Sequence, residues 1–252
     1  VASLVEPASP DLGKVRSFLT RDPIRHTAAL GRLFHDGGWR AMALGDPPAA
    51  VLLQDNRRPK ALIVAAEGAS AAQEALEMVP PGDYSVALAD ASWIPFLSSS
   101  MGVTYSEEAY LLHLTKDRFR PFGDPRLPPV PPSEAPVVAA AWDDEDRTEY
   151  IRERLQRGPS VGVWAGEELV GWYGTHTATD WTVNLGFLYV KGNYRGRGYA
   201  RMLATALASQ VLDQGKAPVC HVQVDNQASL RLHQSIGFLE YCRQGWIGLR
   251  RE

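Results

Sequence analysis

The sequence predicts an α/β (α+β) chain of two domains, and three observations carry that expectation. Both halves alternate short β-rich apolar runs with stretches whose apolar residues recur at helical spacing. A proline-rich segment lies between the halves. In the second half, a basic glycine-rich loop stands between a strand pattern and a helix pattern. The 252 residues suffice to bury a sizeable core, and 45% hydrophobic with 22% charged residues is ordinary for a globular chain. Seven of the 18 prolines fall in "RPFGDPRLPPVPPSEAP", Arg120 to Pro136. Proline removes backbone donors and fixes φ, so this stretch is expected to be an extended linker, neither helix nor central strand. It divides the chain into domains 1–120 and 137–252, with 121–136 as the link.

In the first half, Pro10 to Thr20 and Pro23 to His35 read as helices, each opening near a proline suited to a first turn. "AAVLLQD" and "KALIVAA" read as strands joined by the polar turn Asp55 to Pro59. Ser70 to Val79 is an expected helix, "YSVALAD" a strand, Ser92 to Ser99 a short helix and "EEAYLLHLT" a strand. No phosphate loop or catalytic triad is legible there.

In the second half, Asp143 to Arg157 starts with acids and ends with arginines, as the helix dipole prefers. A hairpin follows: "SVGVWA", the turn "GEE", then "LVGWYGTH". Thr182 to Val190 is an expected strand, and Gly198 to Gln214 a helix with Ala200, Leu203, Ala204, Leu207 and Val211 on one face. "VCHVQV" is a strand and Asn226 to Ile236 a helix capped by Gly237. "FLEYCRQGWIGL" closes with one or two strands.

The stretch "YVKGNYRGRGYARML", Tyr189 to Leu203, holds four basic residues and three glycines in a chain of net charge −3. No Asp or Glu occurs from Trp181 to Leu212. Strand, glycine-rich loop and helix N-terminus together bind phosphate, through successive backbone N–H groups and the positive end of the helix dipole. The overall acidity argues against nucleic acid as the partner and for a small polyanion. A nucleoside-triphosphate loop would need G-x-x-x-x-G-K-[ST], which is absent. A dinucleotide fingerprint would need a third glycine where Arg201 stands.

The pattern Arg195-x-x-Gly198-x-Ala200 resembles the pyrophosphate loop of the GNAT superfamily of acyl-CoA-dependent N-acyltransferases. "VQVDNQASLRLHQSIGF", Val222 to Phe238, is similar to that family's later strand–helix motif. The resemblance covers 137–252. It implies a GNAT-like mixed sheet flanked by helices, with Asn184 to Val190 and Val219 to Val224 as parallel strands that splay apart around acetyl-CoA. The first half is then either a degenerate GNAT-like half or an unrelated partner domain. By the same resemblance, Leu188, Tyr189 and Val190 offer backbone groups to the acyl and pantetheine arm, with a backbone N–H near Leu188 stabilising the oxyanion. Arg195, Gly196, Arg197, Gly198, Tyr199 and Ala200 hold the pyrophosphate, and Asn226 and Ser229 contact the pantetheine or nearby CoA atoms. Asn226 also suits simple helix capping. His233 stands where the family often has a tyrosine that protonates the leaving thiolate, and either takes that role or fills space. Asn184 stands where a glutamate base is common and can only orient water. His176, Asp180 and Glu240 are the other candidate bases.

The expected activity is transfer of an acetyl group from acetyl-CoA to a primary amine of a small molecule. The alternative is a non-catalytic acyl-CoA-binding or regulatory protein. A two-domain layout also resembles the glycine N-acyltransferase-like branch. Trp172, Tyr173, Trp181, Phe187 and Tyr189 are divided between core and acceptor pocket in a way spacing does not resolve. The first half is expected either to complete the acceptor groove or to drive homodimerisation. No metal is expected: two cysteines, Cys220 and Cys242, form no metal-ligand spacing. No apolar run reaches the ~20 residues of a membrane span, and the N-terminal stretch does not read as a signal peptide, so the expected location is cytoplasmic.

Overall fold

The computed structural model describes residues 3–5, by their backbone alone, and 12–252 apart from 59, 124, 125 and 143–146. In chain order the strands are β1 (Ser3–Val5), β2 (Trp39–Leu44), β3 (Ala50–Asp55), β4 (Ala61–Ala66), β5 (Gly82–Leu88), β6 (Gly102–His113), β7 (Val161–Ala165), β8 (Glu168–Ala178), β9 (Thr182–Val190), β10 (Ala217–Gln223) and β11 (Leu239–Arg251). The α-helices are α1 (Leu12–Leu19), α2 (Thr27–Gly31), α3 (Ala69–Glu77), α4 (Ile94–Ser100), α5 (Ala135–Ala140), α6 (Thr148–Arg157), α7 (Tyr199–Asp213) and α8 (Gln227–Ser235). Two compact units result: Val1–Leu111 with Tyr241–Glu252, and Leu112–Glu240.

In the first unit, β1, β2, β3 and β4 pair antiparallel in sequence order. α3 then carries the chain over to β5, which pairs parallel to β4. β3 is buried at all six positions, its apolar residues 50–53 as befits a run covered on both faces and the polar Gln54 and Asp55 with them. α3 turns Ala72, Ala75 and Leu76 inward at spacings of three and four. The predicted helix Pro23 to His35 is shorter and irregular: α2 passes into a π-helical turn, Arg32–Asp36, ended by Gly37 and Gly38 at φ 71° and 75°. β2 starts behind those glycines and is absent from the sequence reading. The start of the first predicted helix, at Pro10 and Asp11, lies outside the described residues.

The second unit repeats the plan. β7, β8 and β9 form an antiparallel meander, α7 crosses over, and β10 pairs parallel to β9. Counted from β2, both halves of the chain thus run through three antiparallel strands, a helical crossover, a parallel strand, a helix and a long strand. The first half is a GNAT-like repeat in topology, although it repeats none of the loop chemistry.

The compact units do not divide at 121–136, where the prolines suggested a link. Gly162 donates to the carbonyl of Pro128 (2.9 Å) and Val130 N–H to Ser160 Oγ (3.2 Å). Val130 is buried with Ala135, Val138 and Ala139 against Trp172. The segment is therefore covering for the second unit. Its end is also helical: α5 carries Pro136 in its first turn, the one part of a helix that needs no proline N–H. At the C-terminus, β11 is a single strand and belongs to the first unit, because residues 245–251 pair antiparallel with β5. Of the helix expected from Asp143 to Arg157, Thr148–Arg157 is helical, and residues 143–146 lie outside the described set.

Candidate functional site: a forked strand pair and its loop

β9 and β10 are in register from Thr182↔Ala217 to Leu185↔Cys220, and pairing stops there. Both strands continue, β9 to Val190 and β10 to Gln223, so the ladder opens into a fork. Two bulges drive β9 off its straight course. Between Trp172↔Tyr189 and Gly174↔Gly186, β9 carries one residue more than β8. Phe187 takes the strain there, at φ 48°, a left-handed conformation costly for a residue with a Cβ. Between Thr175↔Leu185 and Thr177↔Asn184, the extra residue is His176 on β8. Leu188, Tyr189 and Val190 lie past the last β9–β10 pair, so that edge of their backbone has no β10 partner. This is the opening in which the resemblance places the acyl and pantetheine arm.

The loop from Lys191 to Gly198 leads out of β9 into α7. A short 3₁₀ turn, Gly192–Tyr194, is followed by extended Arg195, then Gly196 at φ 75° and Gly198 at φ 83°. Gly198 is the N-cap of α7 in left-handed conformation and offers no side-chain cap. Arg201 and Met202 N–H groups return to its carbonyl, both at 3.0 Å. Among the described residues, the N–H groups of Gly196 to Ala200 donate no backbone hydrogen bond outside the helices and strands. The four cations divide. Lys191 is paired with Glu168 at 2.8 Å, which holds the Glu168 carboxyl below its usual range. Arg195 donates to Val190 O (2.9 Å) and lies over the Tyr189 ring; Arg197 donates to Asn193 O (3.2 Å) and lies over Tyr194. Arg201 donates to Ser235 O at 3.1 Å. The three arginines have no carboxylate partner among the described residues, so their charge is available to an anion in the loop.

Asn226 is the N-cap of α8: its Oδ1 accepts from Ser229 N–H at 3.0 Å. Ser229 and His233 share a helix face, as their spacing predicts. The His233 ring, however, is only 2% exposed. Its Nδ1 donates to Ser229 O (2.8 Å), so Nε2 accepts from Tyr173 OH (2.9 Å). Phe238 stands edge-on to the ring. Burial pushes its pKa down to about 4. The ring is then a neutral imidazole whose single N–H is held by a carbonyl, an arrangement that suits the space-filling alternative better than the thiolate acid. Behind it, Tyr173 is fully buried with its pKa raised, and burial raises the Cys220 thiol to about 12. Both cysteines are free thiols.

Asn184 is buried beside the root of the fork, paired with Val219 on one side and Thr177 on the other. Asn184 Oδ1 and Thr177 Oγ1 are both buried without a hydrogen-bond partner among the described residues. A donor reaching them would relieve about 1–3 kcal/mol of desolvation each. Of the other candidate bases, Asp180 and Glu240 are exposed, whereas His176 is half-buried beside the bulges.

The structure sorts the aromatics. Trp172 and Tyr173 are core, and Trp181 is 38% exposed. Tyr189 stacks on Trp172 with centroids 5.0 Å apart. Phe187 belongs to a half-buried cluster with Trp142, Tyr150 and His176, whose centroids lie 5.5–6.3 Å apart. Two glycines seat this cluster: a Cβ at Gly174 would lie 2.1 Å from the Phe187 ring, and one at Gly186 2.0 Å from the His176 ring. Tyr150 OH bonds His176 Nδ1 (2.9 Å), and buried Arg154 donates to the bulged His176 carbonyl (2.9 Å). Sequence reasoning missed Trp142, Tyr150 and Arg154, because nothing in the spacing of a polar helix says which sheet bulge it covers. Among the described residues, no group of three metal-ligating side chains converges, and no helix is long and apolar enough to cross a membrane.

The sequence model of a family described as "Acetyltransferase (GNAT) family" matches residues 125–238. L-amino acid N-acyltransferase MnaT of Escherichia coli (strain K12) is 30% identical over 126 residues, spanning 45% of this chain and 72% of that protein. Among solved structures, a Drosophila protein aligns over 99% of this chain and 98% of its own, with TM-score 0.74 and 16% identity. A tandem GNAT protein from the clavulanic acid biosynthesis pathway aligns over 100% and 98%, with TM-score 0.58 and 14% identity. These structural likenesses concern the fold.

Proposed function

We propose a function from one premise: this chain belongs to the acetyltransferase (GNAT) family, through its C-terminal half. The proposed reaction is transfer of an acetyl group from acetyl-CoA to the primary amine of a small molecule. The amine nitrogen attacks the thioester carbonyl, the C–S bond breaks, coenzyme A leaves as thiolate, and the amine proton passes to the surroundings. One observation carries this reading: β9 and β10 part after Leu185↔Cys220, and the opened edge runs straight into a glycine–arginine loop whose amides, among the described residues, donate no backbone hydrogen bond outside the helices and strands. In this reading the amides of Gly196 to Ala200 hold the diphosphate. A backbone N–H near Leu188 supports the oxyanion. Asn226 and Ser229 border the pantetheine arm.

The similarity to an L-amino acid N-acyltransferase supports an amino-acid amine as acceptor. The half-buried rings of Trp142, Tyr150, His176 and Phe187, beside the fork, supply an apolar wall for its side chain. His176 is the candidate base that remains, steadied by Tyr150 and by Arg154 on its carbonyl. Asn184 and Thr177 add two unpaired oxygens on the same strand pair.

A non-catalytic acyl-CoA-binding protein is the second reading. It is favoured by the buried, neutral His233 and by an amide at Asn184. Incubating the full chain with acetyl-CoA and a panel of L-amino acids, and following free thiol, separates the two. Amine-dependent thiol release is expected. Tight acetyl-CoA binding without turnover on any amine would favour the second reading, and absence of binding in calorimetry would overturn both.

A further inference from the structure

We infer that Phe122, delivered by the proline-rich segment, is the stacking platform for the adenine of the acyl-CoA, with Arg201 beside it as the counter-charge for that nucleotide's ribose phosphate. The inference rests on the acyl-CoA reading above and adds a subsite to it. Phe122 is a large apolar side chain left 37% exposed. It is not loose. Its backbone N–H bonds the hydroxyl of Thr205 (3.2 Å), a residue with no exposure, and Arg120 N–H bonds Ile236 O (3.0 Å). Gly123 turns at φ 71° against Met202 of α7. The segment thus lies against the first two turns of α7 and the C-terminal end of α8, and fixes the ring where it stands.

It stands against the diphosphate loop. A Cβ on Gly198 would meet the Phe122 ring at 3.4 Å, so ring and N-cap are in contact. The Arg201 guanidinium carbon lies 4.5 Å from the ring centroid, and Arg201 has no carboxylate partner among the described residues. A part-exposed aromatic ring, a cation stacked over one of its faces and a run of amides with no backbone partner outside the helix among the described residues are the three parts a nucleoside diphosphate needs, the base taking the face that Arg201 leaves. The base is one ribose away from the diphosphate, so a ligand held at Gly196–Ala200 has its adenine within reach of the ring. Every base has a π-face, and an arginine beside the platform strengthens the stack. Solvent exposure of a fixed aromatic is otherwise unfavourable, and burying it under the base recovers that area.

The test is calorimetry on the full chain with two ligands: acetyl-CoA, and S-acetyl-4′-phosphopantetheine, which lacks the 3′-phosphoadenosine and the second phosphate of the diphosphate. The quantity read is the preference for the first over the second. Stacking of this kind predicts that Phe122→Ala and Phe122→Leu shrink the preference roughly tenfold. Phe122→Trp should keep it. A preference equal in all four proteins would overturn the inference. So would equal weakening of both ligands in the Ala and Leu variants, which would make Phe122 a prop for Gly198. Wild-type protein that binds neither ligand would fail the acyl-CoA reading itself, a result distinct from either.

Discussion

The diphosphate loop can be tested at Gly198, where two substitutions of equal size differ by one charge. Gly198 caps α7 at φ 83°, and any Cβ there also touches Phe122 at 3.4 Å. Both Gly198→Gln and Gly198→Glu therefore incur the left-handed backbone cost, about 1–2 kcal/mol, and both crowd the nest alike. Only the second adds negative charge where a diphosphate is to sit. Two unit charges about 5 Å apart repel by roughly 3 kcal/mol at an effective dielectric of about 20. The loop is exposed, so screening lowers this to about 2 kcal/mol at ordinary ionic strength. Acetyl-CoA is then expected to bind the Glu variant about 30-fold more weakly than the Gln variant. Calorimetry at low and high salt reads both numbers, and the gap should narrow as salt rises. Thermal melting controls for the shared strain, since the two variants should lose similar stability. Equal affinity in the Glu variant, the Gln variant and wild type would refute the placement of the diphosphate on these amides.

Other outcomes follow from the same structure. His233 is neutral when folded, with a pKa near 4 against an ordinary 6.5, so the unfolded chain binds the extra proton in that window. Its contribution is complete above about pH 6.5 and lost as pH falls toward 4, by at most about 3 kcal/mol. Urea melts from pH 7 to 4 should show that slope in wild type and a shallower one in His233→Phe, where the buried His26 and the other shifted groups still contribute; an unchanged slope would refute the assignment. Gly186→Ala would drive a Cβ to 2.0 Å from the His176 ring, and a destabilisation of about 1–3 kcal/mol is expected. The double variant Gly186→Ala, His176→Ala should recover most of it, and failure to recover would mean the strain lies in the backbone. Finally, β4 and β5 stay paired to Val64↔Leu88, and Ala89 N–H bonds Val64 O at 3.0 Å. With no fork among the described residues of the first unit, calorimetry should give one acetyl-CoA per chain, and a stoichiometry of two would overturn that reading.

What the sequence disclosed and what it withheld divide along a physical line. Elements set by local pattern were legible: β3, β4, α3, the β7–β8 hairpin, β9, α7, β10 and α8 lie within a few residues of their expected ends. The loop was legible too, because Gly196 and Gly198 are glycines for a local reason, their positive φ. What depends on distant partners was not. Proline content alone cannot say that Val130, Ala135 and Val138 bury themselves against Trp172, so a structural cover was read as a link. Neither can the chain's order reveal that β11 pairs with β5. The surroundings of His233 depend on Tyr173, sixty residues earlier, whose hydroxyl bonds its Nε2.

The same distinction explains how one fold plan serves two ends in this chain. Both units place a helical crossover between parallel strands, yet only one opens. The difference lies in the strand before the crossover: β9 carries a bulge at Phe187 against β8, whereas β4 pairs with β3 without one and stays in register with β5. An unbroken ladder satisfies its own N–H groups and leaves nothing to offer a ligand. A bulged one releases them, at the cost of a residue held at φ 48° and rings seated on two glycines. Straightening β9 should therefore stabilise the protein and abolish acyl-CoA binding together. A Phe187 deletion, which removes the extra residue, is expected to raise the melting temperature or leave it unchanged while calorimetry shows no acetyl-CoA heat. Retained binding in a folded deletion variant would mean that the fork does not depend on the bulge.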